Sequence, residues 1–280
     1  RRRDRAAVQV LLMRLTIDHR TRYQFSEPQA RVVQLLRMTP LDFGGQTVID
    51  WRIDVDCDAR LREGRDGYGN ITTMLYIDGP INAVSIMVRG DVLTDDLGGR
   101  VKGTLEPLPP LFFMRSTPLT ETSEAISDLV PSTPTGLDQA MALNLAVKAA
   151  VSVEPGRTPK TRTAAEVLAE GHGSVRDCTH VLLAAARSAG YPARLVSGHC
   201  LDGPNARSHK SAHCWAELFI AGEGWIAFDP STGRLPGDTY VRVAVGLDAG
   251  DSTPLSGTRR GGGIEELDVE VRIAMSQSQE

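Results

Sequence analysis

Five of the six histidines (His172, His180, His199, His209 and His213) fall in one stretch of the chain. Three of the four cysteines (Cys178, Cys200 and Cys214) fall within nearly the same span. A thiol beside an imidazole is the elementary equipment of nucleophilic catalysis, and the same residue types can ligate zinc. None of the close C-x-x-C spacings that mark a structural zinc site is present. A metal site drawing on Cys178, Cys200, Cys214 and a neighbouring histidine is therefore the alternative reading. Nucleophile–base chemistry with no metal or other cofactor is the first. No acidic loop of the EF-hand type occurs, so nothing points to calcium.

Such side chains need a frame, and the hydrophobic period around them predicts one. Leu137, Met141 and Leu145 recur at helical spacing in LDQAMALNLAVKAAV. Thr163 with Glu166 reads as a capping box for a short helix, TAAEVLAE. Gly171 and Gly173 form a tight connection, and Ser174 with Asp177 caps a second helix, VRDCTHVLLAAARSAG, closed by Gly190 and Pro192. Three strand-like runs follow (ARLVSGHCL, AHCWAELFI and GWIAFDP), so the second half reads as α+β, a helix packed on an antiparallel sheet. Further strands are expected in TYVRVAVGLD and IEELDVEVRIA, with a flexible GTRRGGG between them. His172 and His209 fall in loops. Cys200 and Cys214 flank a loop and are placed to face each other across a ladder, as free thiols in a reducing compartment.

The runs GSVRDCTH (173–180), GYPARLVSGH (190–199), AHCWAE (212–217) and GWIAFDP (224–230) resemble, in order, the core motifs of bacterial transglutaminase-like proteins. Those motifs read roughly G-V-C-Q-D-(F/H)-A-H, G-(I/F)-P-A-R-Y-V-S-G, (S/G)-H-A-W-(V/A)-E and G-W-V-G-F-D. The resemblance implies a papain-like core carrying a Cys–His–Asp triad, with a thiol at a helix amino terminus, a histidine base and an orienting aspartate. Carried across, the base is His213 and the acid is Asp229. Asp177 and His180 fill their family positions, and Trp215 and Glu217 alternate on the face of His213. The family cysteine falls on Val175, which has no nucleophilic atom. This implies a diverged, catalytically inactive member of a thiol amide-hydrolase or acyl-transfer family, whose cleft binds a peptide or a partner protein. The alternative is an active cysteine peptidase or transamidase using Cys178, one helical turn later. Ser174, beside the nucleophile position, reads as a helix cap. His180 also reads as a hydrogen-bonded core histidine, and Cys178 as a packed core thiol.

The first half carries no catalytic pattern. From Met13 to about residue 100 the chain alternates apolar and polar residues in MRLTIDHRTRYQF, VIDWRIDVDC, ITTMLYID and AVSIMVRGDV. Turn signals at Ser26-Glu27-Pro28, Gly44-Gly45, Gly64 to Asn70 and Gly79-Pro80 separate these runs, which suggests an all-β, sandwich-like domain. The boundaries expected are an unstructured extension over 1–12 with Met13 as the natural start, a β domain over 13–100, a Pro-rich linker over 101–135, and the core with trailing strands over 136–280. The linker carries Pro107, Pro109, Pro110, Pro118, Pro131 and Pro134. At 280 residues with a net charge of −4, the chain has room for two cores. It has no basic stripe for nucleic acid and no apolar run long enough to cross a bilayer. The cytoplasm is the expected compartment.

Overall fold

The computed structural model describes residues 12–154, 161–203, 208–209 and 212–275. The expected extension over 1–12 lies, but for Leu12, outside them. The amino-terminal half comprises β1 (Met13–Thr39), β2 (Gln46–Val55), β3 (Arg60–Arg65) and β4 (Ile71–Thr94), followed by the short β5 (Arg100–Val101). A 3₁₀ turn at Pro110–Met114 leads to α1 (Glu124–Ser127), α2 (Leu137–Ala150), β6 (Ser152–Val153), α3 (Ala164–Glu170), β7 (His172–Gly173) and α4 (Val175–Ser188). Then come β8 (Ala193–Cys200), β9 (Ser208–His209), β10 (His213–Ile220), β11 (Gly224–Phe228) and β12 (Tyr240–Gly246). The chain closes with α5 (Ala249–Ser252), β13 (Leu255–Arg260) and β14 (Glu265–Met275). Among the described residues no helix is long and apolar enough to cross a membrane.

The architecture is α+β, as the sequence pattern requires. β1 and β4 pair antiparallel along nearly their whole lengths, and the turn signals at Ser26–Pro28 and Gly79–Pro80 are bends within them, marked by register shifts between Gln24 and Arg31. Pro and Gly interrupt a ladder locally, and a bulge absorbs the interruption without ending the strand. Tyr23, Val84 and Ile86 from one arm meet Val32, Leu36 and Ile77 from the other in a single cluster, so the bent sheet encloses its own core.

Two expectations about the tail are corrected. β13 and β14, expected with the core, both pair with β1 of the amino-terminal sheet, so the chain ends where it began. The segment read as a flexible GTRRGGG lies largely in β13, and the Arg259 guanidinium donates to the carbonyls of Gly262 and Gly263. Alternation identifies a strand but not its partner. The amphipathic face of α2 is also rotated from the one expected. Ala140, Leu143 and Val147 are buried, while Met141 and Leu145 are 42% and 55% exposed.

The second sheet runs β12-β8-β10-β11-β5. Its one face packs on α4, where Cys178, Val181, Leu182 and Ala185 meet Leu195, Ala216, Leu218 and Phe228. The helix starts at the Ser174/Asp177 capping box, as its sequence predicts, and α3 starts at Thr163/Glu166 in the same way. The Pro-rich stretch contacts both sides of this layer: Arg187 near the end of α4 donates to the Phe113 carbonyl and to Thr120, Ile126 of α1 joins the α4 core, and Arg194 of β8, on the opposite face, pairs with Glu106.

β12 is an edge strand, and a buried edge must satisfy its outward N–H and C=O groups. Two side-chain amides from the amino-terminal half do so. Gln46 accepts from the Arg242 N–H (2.8 Å) and donates to the Arg242 carbonyl (2.9 Å). Asn70 makes the same pair of bonds to Val245, both at 2.8 Å. Leu15, Ile17 and Ile273 then pack on Val241 and Val243, joining the two sheets. Asn70→Ala leaves both Val245 groups unpaired in a dry seam, and we expect it to cost about 2–4 kcal/mol. Urea unfolding of the variant is the measurement, and a loss below about 0.5 kcal/mol would contradict this account of the edge.

Candidate functional site

His213 opens β10 and Asp229 follows β11, the neighbouring strand. The imidazole Nε2–H donates to Asp229 Oδ2 at 2.9 Å, joining the two residues that the motif resemblance assigns as base and acid. Asp229 is fully buried and collects three further bonds: the Tyr240 hydroxyl donates to Oδ2 at 2.8 Å, and the Ser231 N–H and hydroxyl both donate to Oδ1. Burial alone would raise this carboxyl, but hydrogen bonds and charge from His213, with Ser231 and Tyr240, hold it down at about 2. An ionised carboxylate on Nε2 leaves Nδ1 as the ring nitrogen turned away from it, so the arrangement orients an imidazole to accept a proton there.

Strand alternation places the rest. His213, Trp215 and Glu217 project from one face of the sheet, and Cys214, Ala216 and Leu218 project toward α4. Trp215 stands edge-on to Tyr240, their centroids 5.4 Å apart, and both rings contact the imidazole of His213. Gly198 of β8 is required here. A Cβ at that position would meet the Trp215 ring at 2.7 Å and the Val241 carbonyl at 2.1 Å. Deeper on the same face, fully buried Glu217 is clasped by Arg194 (2.7 Å) and Arg242 (2.7 Å). Burial opposes its charge, and the two guanidiniums outweigh burial, holding it at about 2.

Val175 is the first residue of α4, half-buried and packed against the core cluster. The Ser174 Oγ accepts the Asp177 N–H, and Asp177 in turn accepts from the Ser174 N–H and from Arg162. Cys178 is completely buried one turn in, and burial pushes its thiol up to about 12. His180 is a core tether: its Nε2 accepts the Ala249 N–H at 3.2 Å, and burial lowers it to about 4.

The cysteine readings are corrected as well. Cys214 is opposite Ser197 and Cys200 opposite Tyr240, so the two do not face each other. Cys178 and Cys214 lie on the α4 side, while Cys200 is the register partner of Tyr240 and shares its face. Among the described residues no three His, Cys, Asp or Glu side chains come together to hold a metal ion. His172 and His209, expected in loops, fall in the short strands β7 and β9. Sequence reasoning missed Tyr240, Ser231 and Arg162. Ser231 is two residues from Asp229, a separation short enough to be local, but Tyr240 and Arg162 are brought in by the fold alone.

Residues 124–230 match the transglutaminase-like superfamily, and residues 15–93 match the bacterial transglutaminase-like N-terminal region. The chain therefore carries a transglutaminase-like core behind a bacterial transglutaminase-like N-terminal region. An uncharacterized protein of Mycobacterium leprae, ML0607, is 25% identical over 94% of this chain and 99% of its own. Another from Mycobacterium tuberculosis, Rv2569c, is 23% identical over 87% of each chain. A crystal structure of a candidate cysteine protease from Cytophaga hutchinsonii superposes with a TM-score of 0.76, covering 96% of this chain and 92% of that one at 18% identity. That likeness is one of fold.

Acid should erode the protein's stability over two pH windows. His19, which burial lowers to about 4, and His180 protonate near 6.5 once unfolded, so the stability they confer is complete above 6.5 and is lost as pH falls toward 4. Asp229 and Glu217 protonate near 4 when unfolded and near 2 when folded, so their contribution is lost between those values. Unfolding free energy measured by urea from pH 8 to 3 should decline steadily below 6.5. A flat profile between 6.5 and 4 would mean that the two histidines are not neutral in the native state.

Proposed function

We propose that the chain is a diverged member of its superfamily that binds a peptide or a partner protein at the cleft beside His213 and does not carry out thiol catalysis. The observation that carries this reading is the residue at the start of α4. A thiol there would be favoured as thiolate by the helix amino terminus and would face an oriented imidazole. Val175 stands where the motif comparison puts that thiol. Cys178 is a poor substitute, since its sulfur is buried and held as a thiol up to about 12. Ser174 supports no alternative, because its hydroxyl oxygen accepts the Asp177 N–H as the helix cap.

The retained His213–Asp229 pair fits a binding role as well as a catalytic one, because its four-donor carboxylate and its two aromatic neighbours make a rigid cleft wall. Purified protein should turn over neither peptide amides nor glutamine–amine pairs, and Cys178→Ala should leave that blank result unchanged. Turnover abolished by Cys178→Ala would overturn the reading. In Val175→Cys, the new thiol should be alkylated with a midpoint at least one pH unit below the ordinary cysteine value of about 8.5. Adding His213→Ala should move that midpoint back up. The same unperturbed titration in both proteins would show that His213 does not address residue 175.

A further inference from the structure

Tyr240 opens β12, and its hydroxyl donates to Asp229 Oδ2 at 2.8 Å, the same oxygen that takes the His213 Nε2–H at 2.9 Å. Ser231 occupies the other oxygen, Oδ1, through its N–H and its hydroxyl. Every donor to a carboxylate stabilises the charge and lowers its affinity for a proton. Two donors on one oxygen therefore divide that charge, and the Tyr240 hydroxyl sets how strongly Oδ2 draws on the imidazole. The Tyr240 ring also stands against the imidazole, their centroids 5.8 Å apart.

The place of that hydroxyl is decided in the other half of the chain. Gln46 and Thr94 are register partners across β2 and β4, and both are buried. The Thr94 hydroxyl donates to the Asp238 carbonyl, two residues before Tyr240. The Gln46 amide engages both backbone groups of Arg242, two residues after it. One rung of the amino-terminal sheet thus grips the chain on either side of Tyr240. Gly237 adds a third close approach, since a Cβ there would lie 2.9 Å from Asp96 Oδ1. With the flanking peptides fixed, the hydroxyl keeps only the rotations of its own side chain.

We infer that Tyr240 is a positioning residue for the His213–Asp229 pair, and that the Gln46–Thr94 rung is the means by which the amino-terminal half holds it in place. The amino-terminal half thereby has a part in the site, although the groups that hydrogen-bond Asp229 through its carboxylate all come from the core. The role is the same whether the cleft binds or catalyses, because the imidazole is oriented in either case.

NMR of the full chain labelled with nitrogen-15 histidine tests it. The Nε2 resonance of His213, read through the carbon-bound ring protons and assigned by its loss in His213→Gln, follows the strength of the bond to Asp229. Tyr240→Phe keeps the ring and removes one donor, so Oδ2 should draw harder on the imidazole and the resonance should move downfield. Thr94→Val should move it the same way by less, and Thr94→Ser, which keeps the hydroxyl, should leave it at the native position. If Thr94→Val does not fold, Gln46→Met removes the other half of the grip and should give the same downfield shift. Asn70→Ala is the control: it strips the bonds to Val245, farther along β12, and should lower the melting temperature with the resonance unmoved. An unmoved or upfield resonance in Tyr240→Phe would overturn the positioning role. No movement in folded Thr94→Val or Gln46→Met, or as large a movement in Asn70→Ala, would overturn the part given to the amino-terminal half.

Discussion

A carboxylate with no access to water sits at the centre of this molecule. Glu217 is completely buried in the middle strand of the core sheet, and an isolated charge there would cost several kcal/mol. It is ionised because β8 and β12, on one side of it, deliver Arg194 and Arg242 to its two oxygens. Each arginine then carries the constraint outward. Arg194 reaches the linker through Glu106 and lies over the Trp225 ring at 3.9 Å. The backbone of Arg242 is held by Gln46 of the amino-terminal sheet. One buried charge thereby requires the linker, the core and the amino-terminal half to be in place together.

The same strand shows how two different faces grow from a period of two. Side chains alternate along β10, so the residue that faces α4 is never the one that faces the linker. Cys214, Ala216 and Leu218 make the dry interface with the helix, while His213, Trp215 and Glu217 line the other face. Because His213 is the first residue of its strand, its ring reaches the rim of the sheet, where Asp229 meets it just past the end of β11. The thiols on the helix side are sealed into the hydrophobic core, and their elevated protonation follows directly from that burial. Reactivity and packing make opposite demands on a cysteine, and both Cys178 and Cys214 answer to packing.

Much of this was legible in the residues alone. The capping boxes at Thr163 and Ser174 and the order of helix and strands through the core followed from local patterns, since caps depend on residues three apart and strand faces on residues two apart, while the pairing of His213 with Asp229 was what the motif resemblance implied. Such rules are short-range, and the sequence states them directly. Partnership across long separations was not legible. That β14 returns to β1, that the Tyr240 hydroxyl completes the shell of Asp229, and that Met141 and Leu145 face outward are outcomes of how whole sheets twist and stack. An alternating strand can pair with any neighbour that buries its apolar face, and only the complete set of burials and charge pairings decides which neighbour that is.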